Sequence, residues 1–340
     1  MRSLSPGSVC TEKKNIVSFD PGHLPDIPRR VLVGLQDGYC NLRCPSCHVH
    51  GFTSNDKSQI LRGQMSLLDA NKIFQEIRGN DIFVSPVLWA EPLLIKNFKQ
   101  YVQLINGYDL KLFVNTNGLL LNDELADFLV SSHTHSVFVS IDATTRETLR
   151  KVRGVDSLSV IHDAVFRLIE ARGVGGEPRI GVSFSESQDN AHEKEAFISY
   201  WLEYVDVVRV NYIYESDNSI KNINESTPRV PCGALYDTMA INHKGDALVC
   251  CLDSSNQTFM GNVLSDGVAS VWKGARFQEV RHYHEAGQFE KVELCRKCDV
   301  WRNSFVEETT AGGILIRRSP TMTYYNRLDR LSSWRGKISS

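Results

Sequence analysis

The sequence predicts an α/β fold: a partial (β/α)6 parallel barrel followed by a small C-terminal α+β module. Six short, apolar, β-rich stretches recur between residues 31 and 213, with helical patterns between them. Unusual short motifs directly follow those stretches. From about residue 217 the alternation gives way to loop-rich chain holding four spaced cysteines.

The six stretches are VLVGLQ (31–36), VSPVLW (84–89), LKLFVN (110–115), VFVSI (137–141), RIGVSF (179–184) and VVRVNYI (207–213). Short apolar runs of this kind suit parallel strands covered on both faces. Between them, MSLLDANKIFQEI sets Ser66 and Asp69 as a relative of the capping box, then Ile73 and Ile77 on one face. LNDELADFLVS offers Asn122 as N-cap and Leu125, Phe128 and Leu129 as a stripe. SLSVIHDAVFRLIEAR and NAHEKEAFISYWLEY read the same way. Six units are too few to close a full barrel.

The expected organisation is an N-terminal extension (1–29), the barrel (30–216), the cysteine module (217–310) and a basic tail (311–340). DNSIKNINESTPRVP (217–231) is polar and reads as a linker. TMAINHKGDALVCC reads as a β-hairpin turning at Lys244, Gly245 and Asp246. GNV (261–263), a helix over VWKGARFQEVRHY, and ELCRKC follow. From Gly312, Arg317, Arg318, Arg327, Arg330, Arg335 and Lys337 face one acid, Asp329, and read as a solvated or packing tail.

The 340 residues are 42% hydrophobic and 23% charged, with a net charge of −2. That composition is ordinary for a globular chain and gives no sign of a nucleic-acid partner. The N-terminus lacks the apolar core of a signal peptide, and no apolar run reaches membrane-span length. A cytoplasmic location without membrane attachment is expected. In a reducing compartment the nine cysteines are metal ligands or reactive thiols rather than disulfides.

GYCNLRCPSCHVHG (38–51) holds Cys40, Cys44 and Cys47, with no fourth cysteine in reach. A structural zinc site takes four ligands, so three thiolates suit a centre that keeps one position open. They match three irons of a cubane 4Fe-4S cluster. His48 and His50 flank the loop and read as loop polars. Cys232, Cys250, Cys295 and Cys298 form a second group, C-x17-C-x44-C-x2-C, whose spacing allows a 4Fe-4S cluster or zinc. Cys10 and Cys251 are left over.

Cys40-x3-Cys44-x2-Cys47 after the first strand resembles the signature of the radical S-adenosylmethionine (SAM) superfamily. WAEP (89–92) resembles its Gly-Gly-Glu-Pro motif, and NTNG (115–118) and SIDATTRETLRKVRG (140–154) resemble later motifs. The resemblance implies that the open iron binds SAM and that a 5′-deoxyadenosyl radical abstracts hydrogen from substrate. It implies SAM contacts at Ala90, Glu91, Asn115, Ser140 and Arg153, with Arg153 equally readable as a solvated helix-end arginine. Ser46 stands where an aromatic residue is common, and Trp89-Ala90 replaces the glycine pair. Gly245-x4-Cys250 with the later Cys-x2-Cys resembles the shortened, twitch form of the SPASM domain, implying one auxiliary 4Fe-4S cluster.

The arrangement resembles the 2-deoxy-scyllo-inosamine dehydrogenases and the single-auxiliary-cluster epimerases. It implies oxidation of a carbinol C–H of a small hydroxylated substrate, a sugar or aminocyclitol. The alternatives are redox-neutral epimerisation with Cys251 as hydrogen donor, and peptide modification. Glu186 and Glu215 are candidate bases, and Tyr212 and Tyr214 candidate substrate partners. A flavodoxin or ferredoxin electron donor is implied by the resemblance.

Overall fold

The structure, a computed structural model, describes residues 11–17, 22–51, 61–79, 81–215, 217–220 and 228–330. Cys10, linker residues 221–227, and Arg335 and Lys337 of the expected tail lie outside them. The described chain opens on strand β1 (Thr11–Val17). Then come the six expected barrel strands: β2 (Arg30–Val33), β3 (Phe83–Ser85), β4 (Lys111–Thr116), β5 (Ser136–Ser140), β6 (Arg179–Glu186) and β7 (Val207–Tyr212). They pair in sequence order, all parallel.

The connections carry α1 (Leu67–Glu76), α2 (Phe98–Gly107), α3 (Asp123–Ser131), α4 (Arg146–Arg153), α5 (Leu158–Arg172) and α6 (Lys194–Trp201). Their starts follow local chemistry. Ser66 Oγ accepts the Asp69 N–H at 3.0 Å, and Asn122 Oδ1 accepts the Leu125 N–H at 2.9 Å.

Strand register sorts side chains onto two faces. Val114, Val137 and Ile180 form one row, and Thr116, Val139, Val182 and Val208 another. These rows pack with Ile105, Leu129, Ile161, Ala164 and Leu168 of the helices, apart from Thr116. Each fully buried Val or Ile contributes roughly 1.5–3 kcal/mol. The opposite face carries Asn115, Phe138 and Gly181, then Ser140, Ser183 and Arg209, then Ser185 and Asn211. It becomes polar toward the C-terminal strand ends.

Two flanks extend the barrel. Beyond β2, the first strand of the expected hairpin, β8 (Thr238–Ile241), pairs parallel with β2, giving seven parallel strands instead of six. β9 (Asp246–Leu248) and β10 (Phe259–Asn262) continue antiparallel. Gly245, at φ +85°, makes the β8–β9 turn in a region that L side chains resist. The single helix expected over VWKGARFQEVRHY is two, Val268–Trp272 and α7 (Ala275–Glu285), parted at Lys273 and Gly274.

The other flank corrects the expected basic tail. β11 (Phe305–Ala311), β12 (Ile314–Ser319) and β13 (Met322–Arg327) form an antiparallel meander. β13 pairs with β7, and β1 pairs with β11. Three of the arginines that suggested a tail have acidic partners: Arg317 lies 2.6 Å from Glu308, Arg327 2.6 Å from Asp329 and Arg330 3.4 Å from Asp206.

Candidate cluster and cofactor site

The cysteine triplet sits in a tight loop after β2. The Cys47 N–H donates to Cys44 O, and the Gly51 N–H to Cys47 O, both at 2.9 Å. A Cβ on Gly51 would stand 2.5 Å from Cys47 O, so only glycine fits. The Leu42 N–H points to Cys40 Sγ (3.4 Å) and the His50 N–H to Cys47 Sγ (3.3 Å). Burial pushes the Cys40 thiol up to about 11 and raises Cys44, which Arg153 partly opposes. The raised Cys40 and Cys44 thiols favour the protonated form, and metal binding would have to drive their deprotonation.

The loop is wired to its neighbours. His50 Nε2 lies 3.0 Å from Trp89 O, and His48 Nε2 lies 3.0 Å from Tyr214 O. The Glu91 N–H donates to Tyr39 O at 2.9 Å. Asn117 Nδ2 donates to Asn41 Oδ1 at 2.7 Å. Glu91, expected to touch cofactor, turns inward. It is 3% exposed, and its carboxylate accepts from Thr116 Oγ1 (2.6 Å), Asn117 N (2.8 Å) and Leu93 N (3.2 Å). Its side chain fixes the WAEP loop against the NTNG loop, and Ala90 beside it is half-buried.

Arg153 is buried and not solvated. Its Nε and Nη2 donate to Asp142 Oδ2 at 2.9 and 2.6 Å. Gly154, at φ +73°, ends α4 directly after it. Burial would lower the Arg153 pKa, but Asp142, Cys44 and Cys40 around it raise it. Asp142 itself holds φ +67°, and its Oδ1 accepts the Ser185 N–H at 2.6 Å. SIDATT contained this residue, but its left-handed backbone and partner were not visible in one dimension.

On the polar barrel face, Asn115 Oδ1 accepts from Arg209 Nη2 at 3.0 Å. Ser183 Oγ lies 3.1 Å from Ser140 Oγ, and Asn211 Nδ2 donates to Ser185 Oγ at 3.1 Å. Ser183, Ser185 and Asn211 fall in the strand-end motifs SFSES (183–187) and NYIYES (211–216), whereas Arg209 was not singled out from sequence, although strand alternation puts it on this face. Glu186 ends β6, ion-paired with Lys194 Nζ at 3.1 Å through both oxygens, so it is not an unencumbered base. Tyr212, ending β7, is partly exposed. The Tyr214 hydroxyl donates to Thr321 Oγ1 at 3.3 Å, and burial pushes its pKa up to about 12. The Glu215 main-chain N–H donates to Ser219 O at 2.8 Å.

Cys232, Cys250, Cys295 and Cys298 line one pocket, walled by Leu235, Val249, Leu294 and Trp301. Burial pushes Cys232 and Cys295 up to about 12 and raises Cys298. The hydrogen bond to Cys251, with burial, raises Cys250. Main-chain N–H groups of Leu252 and Val300 point at Cys250 Sγ (3.5 Å) and Cys298 Sγ (3.4 Å). The free Cys251 thiol is hydrogen-bonded with the Cys250 thiol, with Arg30 of β2 as its nearby cation.

Among the described residues, no group of three or more His, Cys, Asp or Glu is placed to hold one metal ion. Zinc draws its thiolates onto a single point, whereas a cubane spreads them over separate irons. Four thiols around one pocket with N–H···S donors suit a four-thiolate centre.

Comparison with known proteins agrees. The model of the radical SAM superfamily matches residues 38–177, and that of the SPASM iron-sulfur cluster-binding domain matches residues 232–299. The chain carries a radical SAM domain and a SPASM-type iron-sulfur domain. The mycofactocin maturase MftC of Mycobacterium ulcerans is 23% identical over 289 residues, covering 73% of this chain and 76% of MftC. The structure of BtrN with AdoMet and 2-DOIA aligns at a TM-score of 0.54 and 16% identity, over 80% of this chain and 93% of BtrN. Streptococcus suis SuiB bound to its precursor peptide SuiA aligns at 0.60 and 15% identity, over 81% of this chain and 72% of SuiB. SAM and a 4Fe-4S cluster are the cofactors of the first domain, and the SPASM domain adds auxiliary iron-sulfur binding. Among the described residues no helix is long and apolar enough to cross a membrane.

Proposed function

We propose that this chain oxidises a carbinol C–H bond of a small hydroxylated substrate, a sugar or aminocyclitol, removing two hydrogens. The observation that carries the reading is the pairing of a three-cysteine loop with a pocket lined by four more cysteines. Cys40, Cys44 and Cys47 would hold the SAM-binding cluster, and Cys232, Cys250, Cys295 and Cys298 the auxiliary one. When loaded, these groups supply a hydrogen-abstracting radical and a one-electron acceptor. The polar strand-end face of Ser140, Ser183, Ser185, Arg209 and Asn211 supplies hydrogen-bond partners for cofactor and substrate hydroxyls. Ala90 and Arg153 would contact SAM at the first site. Electrons arrive from a flavodoxin or ferredoxin.

A second reading, peptide modification, is favoured by the match to MftC across about three-quarters of both chains. The test is anaerobic reconstitution followed by turnover with deuterated candidates of each class. The lead reading requires deuterium from a carbinol position in 5′-deoxyadenosine and a product two hydrogens lighter. Deuterium transfer from a peptide alone replaces it with the second reading.

A further inference from the structure

His284, on α7, lines the four-cysteine pocket and is 1% exposed. Its Nδ1 accepts the main-chain N–H of Cys232 at 3.3 Å. A ring nitrogen that accepts carries no hydrogen, so the ring proton sits on Nε2. Nε2 is buried and has no hydrogen-bond partner. Phe289 packs edge-on against the ring at 5.1 Å and restrains its plane. A protonated nitrogen cannot ligate iron, so His284 is a donor in search of an acceptor.

Arg229 repeats the pattern in the same pocket. Its guanidinium donates to the main-chain oxygens of Arg296 and Cys295 and stacks on Phe289 at 4.2 Å. Its Nε is buried without a partner. Buried donors in native interiors find acceptors, and each exception calls for an explanation. The pocket they share is walled mainly by apolar side chains and the four cysteines.

We propose that His284 Nε2–H donates a hydrogen bond to a sulfur of the auxiliary cluster, with the Arg229 cation beside it, and so raises that cluster's reduction potential. Reduction adds negative charge to the cluster sulfurs, and a donor and a fixed cation stabilise the reduced form. His284 is thus a positioning residue that keeps the cluster ready to accept the substrate's electron. The proposal rests on the reading that these cysteines hold a 4Fe-4S cluster.

The full-length chain with Cys40, Cys44 and Cys47 changed to Ala isolates the auxiliary site. It should bind about four irons. In that background, EPR-monitored redox titration should give a lower potential for His284→Leu than for His284 at equal iron content. His284→Gln, which keeps an N–H, should fall between them. Equal potentials overturn the proposal, as does iron loss confined to the His284 variants. Pulsed EPR of the reduced chain labelled with 15N-histidine needs no His284 variant. A weak nitrogen coupling is expected, and its absence, or the strong coupling of a ligand, overturns the proposal. No iron in the Cys→Ala background overturns the cluster reading itself, and the proposal with it.

Discussion

Asp37 Oδ2 accepts from His243 twice, from its main-chain N–H at 2.6 Å and its ring Nδ1 at 3.0 Å. Asp37 lies three residues before Cys40, and His243 lies in the turn between β8 and β9, the strand that leads to Cys250. One buried carboxylate thus fastens the supports of both cysteine groups together. Asp37→Ala leaves buried donors unpaired, at about 1–3 kcal/mol. Thermal denaturation should show the loss, and iron analysis after reconstitution should show poorer loading at both sites.

The Arg153–Asp142 pair makes a steeper prediction. Arg153→Ala strands a buried carboxylate beside Cys44, costing about 3–5 kcal/mol. Asp142→Asn keeps a polar partner for Arg153 and should cost less. Denaturant midpoints of the two variants give the order, and SAM cleavage should be lost in Arg153→Ala.

The two cysteine groups should separate by function. Wild-type chain should bind about eight irons, and either Cys40→Ala or Cys298→Ala chains about four. Cys40→Ala should abolish SAM cleavage. Cys298→Ala should keep cleavage without product and lose substrate oxidation.

Cys251 discriminates oxidation from epimerisation. Its thiol is engaged with Cys250 rather than lining the pocket. Cys251→Ala should leave turnover intact, and product made in heavy water should carry no solvent deuterium. Lost turnover together with deuterium in wild-type product would instead establish a thiol hydrogen donor.

Glu193 gives a pH prediction. Burial alone would raise its pKa, but hydrogen bonds from Thr144, Thr145 and Thr148 outweigh that and hold it at about 2 rather than 4.5. A depressed carboxylate stabilises the fold above its unfolded pKa and loses that contribution as pH falls through the folded value. The window is therefore pH 4.5 to about 2, with roughly 3 kcal/mol at stake. Stability measured across this window should fall steeply in wild type and more gently in Glu193→Gln.

The barrel was legible because its information is local. Short apolar strands, capped helices and motifs at strand ends sit in consecutive residues, and all six strands appear where expected. Pairings between distant segments were not legible. Nothing in TMAI announces that Thr238–Ile241 lies parallel to Arg30–Val33. The strands after Phe305 were obscured by arginines whose acids, Glu308 and Asp206, belong to other segments or strands. In the first site, the three cysteines were visible, while Glu91 and Glu186 gave no hint that their carboxylates were already engaged. In the second, Arg229 and His284 meet only because the fold joins them.

Thr11 pairs with Thr310, so β1 finds its partner only far downstream in the chain. The six barrel strands pair in the order they leave the ribosome, with modest loops to close. Both flanks wait for residues far downstream, and such distant pairing is slow. Until β13 arrives, the β7 edge offers an open ladder to any neighbouring chain. A chain cut short before Met322 should therefore leave a nascent barrel that gathers into aggregates.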